Sequence, residues 1–163
     1  VVLVVHRTTP DKGHLTHDLK FIEDVLEPGL RQIVATEGGF AYQASEDEPL
    51  FGDEGAKDQK APQRSIVARI RTPNAPGTGP LLVSHDGKAM LVLVELTTEF
   101  LARTNWPTIS HIEGLVRDLR QQEKIPPGLK IAVTGSAVIG RDHVRAEEAR
   151  LHRGARAPDT RAA

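Results

Sequence analysis

Residues 133–142 read VTGSAVIGRD: an apolar run, a glycine, four residues, a second glycine, then a stretch of helical composition. Strand, glycine turn and helix in that order is how phosphate-binding loops are built. Gly135 and Gly140 carry the G-x-x-x-x-G spacing of a Walker loop. The next two residues, however, are Arg141 and Asp142, where such a loop needs Lys and then Ser or Thr. The Lys that reaches the phosphates and the hydroxyl that holds Mg²⁺ are both missing, and an Asp there repels phosphate. The G-x-G-x-x-G alternative fails at Ala137. The run also follows the last apolar strand pattern of the chain, not an opening βαβ unit. The motif reads as a strand that exits through a flexible glycine turn into a helix.

Other residues could carry chemistry. His14 and His17 lie three apart at a helix start, beside Asp18 and after His6. His/His/Asp can ligate zinc, but no H-E-x-x-H or similar spacing is present. Polar residues in an exposed first turn account for the set, as solvation does for His85, His111, His143 and His152. Ser65, Ser84, Ser110 and Ser136 are the hydroxyl candidates, and none sits in G-x-S-x-G. Glu46, Asp47, Glu48, Asp53 and Glu54 crowd one stretch without the spacing of a Ca²⁺ loop. Glu95 and Glu99 form no catalytic pair. Phe100 and Trp106 flank a helix start, where they serve as packing or as the wall of a candidate apolar ligand groove. The expectation is a non-enzymatic domain with no catalytic residue, no cofactor and no metal.

Composition narrows the partners. The chain has 163 residues, enough for one domain, with 21 basic and 22 acidic side chains and a net charge of −1. General binding to nucleic acid needs concentrated positive charge, and aromatics for base stacking are only 4%. Nucleic acid is therefore not an expected partner. Absence of cysteine excludes disulfides and thiolate sites. The longest apolar run is Val1–Val5, far below the roughly 20 residues of a membrane span. The chain starts in a β-branched run with no initiator Met, which reads as a cut inside a longer protein.

The elements that position these residues are set by periodicity. VVLVVHR (1–7) is a strand, mostly buried because nearly every position is apolar. Apolar residues at 15, 19, 22, 26, 30 and 33 mark a helix, interrupted at Pro28-Gly29 and ended at Gly38-Gly39. Residues 40–64 read as a long loop, with 43–64 acidic and mobile. SIVARIR (65–71) alternates as a strand with Ile66, Ala68 and Ile70 on one face. In LLVSHDGKAMLVLVEL (81–96) two β runs flank Asp86-Gly87, a hairpin signal. A second helix is capped by Thr104 or Asn105, has Pro107 in its first turn, and carries an apolar stripe at Ile109, Ile112, Leu115 and Leu119. Ile125-Pro-Pro-Gly128 ends it, and LKIAVT (129–134) is the last strand. The order β-α-β-β-α-β predicts an α+β, ferredoxin-like split βαβ fold. It has an antiparallel sheet, two helices on one face, an extra strand and a C-terminal helix, with first and last strands paired at the sheet centre. The divisions are a domain over 1–141, a connector helix over 142–153 and a disordered tail over 154–163.

Three segments carry a family likeness. ARIRTPNAPGTGPLLVSHDGKAMLVLVELTTEFL, WPTISHIEGLVRDLR and PPGLKIAVTGSAVIGRDHVRAEEA resemble the periplasmic porter region of MMPL-like transporters, of the resistance-nodulation-division (RND) superfamily. The likeness is to the lipid or hopanoid exporters in particular, and covers residues 1–150. It implies an extracytoplasmic porter subdomain of a proton-driven inner-membrane exporter of lipid-like cargo. Implied partners are the remaining membrane and porter domains, hydrophobic or lipid cargo, and further copies in a homo-oligomer. Gly135 and Gly140 become the hinge toward a membrane helix. From about Leu151 the chain departs from that pattern, with HRGARAPDTRAA where a membrane helix is expected. A free-standing ferredoxin-like binding or regulatory module is the alternative reading.

Overall fold

The computed structural model describes residues 1–8, 13–37 and 66–154, the last three of these without their side chains. The acidic loop, the glycine pair 38–39 and the tail lie outside the described residues, as do Ser65 and Glu46–Glu54.

The opening strand β1 is Val2–Arg7. Leu3, Val5 and Arg7 are buried, whereas Val2 and Val4 are half-buried and His6 is exposed. The run is thus buried on one face only, contrary to its uniformly apolar composition. Alternate side chains of a strand point to opposite faces, and only one face of this sheet is covered.

Helices α1 (His14–Phe21) and α2 (Glu27–Thr36) are continuous through a π-helical turn, Ile22–Leu26. Pro28 accounts for that turn. It has no N–H to give to residue 24, so the ladder loosens just before it, and the Glu27 N–H donates to the Ile22 carbonyl instead. Gly29 then lets α2 approach the second long helix, α3 (Trp106–Gln121), because a Cβ there would stand 2.8 Å from Leu115 Cδ1.

Strand β2 is Val67–Arg71 and β3 is Ala89–Leu96. The hairpin turn forms at Ser84–Lys88, where the Gly87 N–H donates to Ser84 O at 2.9 Å. Its first arm is not a β run: Gly79–Leu82 is a 3₁₀ turn, and only Val83 bridges to Met90. Pro80 cannot donate to a ladder, and Gly79 sits so close to Pro73 O that a Cβ would be 2.2 Å from it. β2 and Val83 lie on the same edge of β3. The strand expected as an extra one beside the hairpin is therefore itself the first arm, interrupted by residues 72–82. A bulge between Val67 and Arg69 also shifts the expected alternation. Val67 is buried and Ile70 packs on the core, while Ile66 and Ala68 are not the inward set.

The last strand, β4, is Leu129–Thr134. The antiparallel sheet runs β2-β3-β1-β4. First and last strands do pair, but β4 is at the edge and β1 with β3 holds the centre. The α3 crossover carries the chain past β1 to its free side, which is what a split βαβ topology requires. The alternating burial of β4, with Lys130 and Ala132 exposed, follows from the sheet's one open face, as in β1. The sheet's buried apolar side chains, among them Leu3, Val5, Met90, Val92 and Ile131, form one core with Ile22, Leu26, Leu30, Ile112 and Val116 of the helices. The α+β, ferredoxin-like class stands, with both helical crossovers on one face.

Candidate functional site

The chain leaves β4 through Gly135 and enters α4 (Ser136–Gly154) at once. Gly135 has φ 109°, a left-handed conformation open to glycine, and a Cβ there would stand 3.2 Å from Val2 N. Ser136–Ile139 are helical, so the four residues between the glycines form no open loop around an anion. Gly140 lies inside the helix, and the helix expected from Asp142 starts at Ser136. A Cβ on Gly140 would be 2.9 Å from Leu101 Cδ2 and 3.4 Å from Phe100 Cδ2. Gly135 is thus a turn, and Gly140 is the close-approach point between α4 and the segment before α3.

Arg141 locks the same corner. Its side chain is buried, with Nη1 and Nη2 donating to the two Glu113 oxygens at 2.8 and 2.6 Å and Nε to Asp142 at 2.9 Å. The Glu113 bonds hold the guanidinium above its ordinary range, outweighing the burial that opposes its charge. Ala137 and Val138 close a small core with Ile109. The first turns of α4 are therefore fixed to α3, while from Asp142 to Leu151 only Val144 and Glu148 are even half-buried.

Phe100 and Trp106 are not in one groove. Phe100 is 53% exposed and, with Val1, Val2, Leu96 and Ala137, borders a shallow groove at the sheet's end. The guanidiniums of Arg103 and Arg145 lie 5.2 and 5.1 Å from the centre of the Trp106 ring, within cation–π range. Arg103 also pairs with Glu148, joining the 3₁₀ turn Arg103–Asn105 to the middle of α4. Asn105 does not cap α3 with its side chain: it accepts from Thr98 Oγ1 and donates to Glu99 O at 2.7 Å. Sequence reasoning missed Glu113, Leu101 and Ile139. Glu113 bears on the site only through a partner 28 residues away, and nothing local marks Ile139, 64% exposed, as an outward apolar residue.

The remaining candidates are dispersed. Asp18 is fully buried and paired with Arg7, whose Nε donates to it at 2.8 Å, so it faces no histidine. His14 Nε2 lies 3.3 Å from Gly87 O, and His6 is exposed. His111 Nδ1 lies 2.7 Å from Glu37 Oε1. Glu95 pairs with Arg71 at 2.6 Å. Among the described residues no three His, Asp or Glu side chains converge as metal ligands. No described helix is long and apolar enough to cross a membrane.

Against known proteins, a family model described as MMPL family matches residues 13–155. No curated protein and no solved structure matches the chain significantly.

Proposed function

The chain belongs to the MMPL family, and from that membership we propose that it is an extracytoplasmic porter subdomain of a proton-driven RND-type exporter of lipid-like cargo. Its role is mechanical, not enzymatic: a rigid sheet-and-helix body transmits motion to the membrane part. The observation that carries this reading is α4. Its first turns are bolted to the body by Arg141–Glu113 and by the Gly140 contact, Arg145 and Glu148 brace it against Trp106 and Arg103, and from Asp142 to Leu151 it is mostly exposed and rich in charge. A helix clamped to the body through its first turns and its middle suits the coupling of one moving body to another. Proton coupling in such transporters uses ionisable groups inside membrane helices, so no residue of this chain is assigned to it.

The extracytoplasmic placement is tested with a cysteine at Leu81, which is 83% exposed, in a chain that has none of its own. In the parent transporter, a membrane-impermeant maleimide should label Leu81→Cys from the extracytoplasmic side of intact inner membrane. Labelling only after the membrane is broken overturns the placement. Reading the flanking DNA tests the rest: an absence of apolar runs of roughly 20 residues on both sides removes the transporter reading.

A further inference from the structure

The outer edge of β4 is built to take another strand. Val1 and Val94 exchange backbone hydrogen bonds, and the Arg7 N–H donates to Lys88 O. With a period of two, the odd residues of β1 bond β3 and the even ones bond β4. Their partners Lys130, Ala132 and Thr134 therefore turn inward. Leu129, Ile131 and Val133 turn their N–H and C=O groups outward. The Leu129 N–H is used by Pro126 O at 3.0 Å, and Ile131 O takes a long 3.4 Å bond from Arg120. Among the described residues the N–H groups of Ile131 and Val133 have no backbone partner.

Native edges are usually blunted, and the opposite edge is: β2 is broken by its bulge and then by Pro73 and Pro80. β4 is six residues long with a continuous ladder register and no proline. A cleft runs along it, walled by Ile125, Pro126 and Pro127 on one side and by Val4 and Ala132 on the sheet's open face. Its exposed charges are Arg120 and Lys130 against Glu123, with His6 beside them.

We propose that the β4 edge is a strand-addition site for an extended, acidic polypeptide segment of a partner. Main-chain bonds to Ile131 and Val133 supply the attachment. Carboxylates on alternate residues meet Lys130 above the edge or Arg120 below it. The charges disfavour a second copy of this chain, which would bring a second Arg120 and Lys130 to the same cleft.

The test is fluorescence anisotropy on the chain with labelled peptides, acetyl-(Val-Glu)₄-amide and acetyl-(Val-Lys)₄-amide. The acidic peptide should bind and the basic one should not. N-methylation of one set of alternate peptide amides should abolish binding, and methylation of the other set should not. Combined Arg120→Glu and Lys130→Glu, both exposed positions, should weaken binding several-fold whichever face the glutamates take, since one opposite-charge cross-strand pair is worth a few tenths to about 1 kcal/mol and a like-charge pair replaces it. No binding, equal binding of both peptides, or indifference to methylation overturns the proposal. A concentration-dependent dimer dispersed by either peptide puts a second copy on the edge and overturns the acidic partner.

Discussion

Asp18 has 0% exposure, and its carboxylate is spanned by the Arg7 guanidinium, which also donates to Pro127 O at 2.8 Å. One ion pair so joins β1, α1 and the α3–β4 connection. Removing one partner strands the other charge in a dry site, so Asp18→Ala should cost about 3–5 kcal/mol in urea unfolding. Arg7→Met with Asp18→Leu should recover most of that loss. From sequence, Asp18 is one of several polar residues beside His14 and His17. Its partner lies on another element, and only the strand register turns Arg7 inward, so Asp18 reads from sequence as an exposed first-turn residue, which its complete burial against Arg7 corrects. The two glycines separate in the same way. Gly135→Ala puts a side chain at φ 109° against the backbone of Val2, and should cost about 1–3 kcal/mol. Gly140→Ala presses on the tip of the half-exposed Leu101 at 2.9 Å and only touches Phe100 Cδ2 and O at 3.4 Å, and it gains about 1 kcal/mol of helix propensity. It should be near neutral in the same assay. A shared loss would mean that α4 cannot give at Leu101.

At the scale of elements, the hairpin turn offers the sharpest check. Asp86 accepts from Ser84 Oγ at 2.7 Å and from the Lys88 N–H at 3.1 Å. The serine bond, then the backbone bond, hold its carboxyl below the ordinary 3.8. A lowered folded value means that the turn's stabilisation is fully present above that ordinary value and is lost as pH falls through the folded one. NMR titration should show Asp86 below the ordinary 3.8, and Ser84→Ala should move it back up. A titration point unmoved by Ser84→Ala removes that bond as the cause. The turn was legible because Asp-Gly has a local conformational signature. The first arm was not, because LLV has strand composition while the Gly79-Pro80 backbone contact ahead of it is tertiary. The helix interruption was legible as Pro28 but was displaced to 22–26, since proline's missing donor is felt by the preceding turn. The position of β4 at the edge was hidden for a further reason: an apolar run of six is equally consistent with a centre or an edge.

For the whole molecule, the split βαβ order was readable from the alternation of periods, and the family from pattern and order along the chain. What the sequence hid was that α4 is anchored twice, at its start by Arg141 and Gly140 and at its middle by Arg145 and Glu148. A helix of 19 residues is about 28 Å long at 1.5 Å per residue. The last described tie to the body is Arg103–Glu148. The direction in which α4 presents its side chains after that tie follows its helical repeat. Inserting two alanines between Arg150 and Leu151 turns the downstream chain by about 200°, whereas inserting four turns it by only about 40°. Neither insertion touches the core, so thermal unfolding of the isolated chain should be unchanged for both. In the parent transporter, export should fall severely with two alanines and be largely retained with four. Loss with both, or with neither, would show that α4 passes no defined orientation onward, and the lever role would go with it.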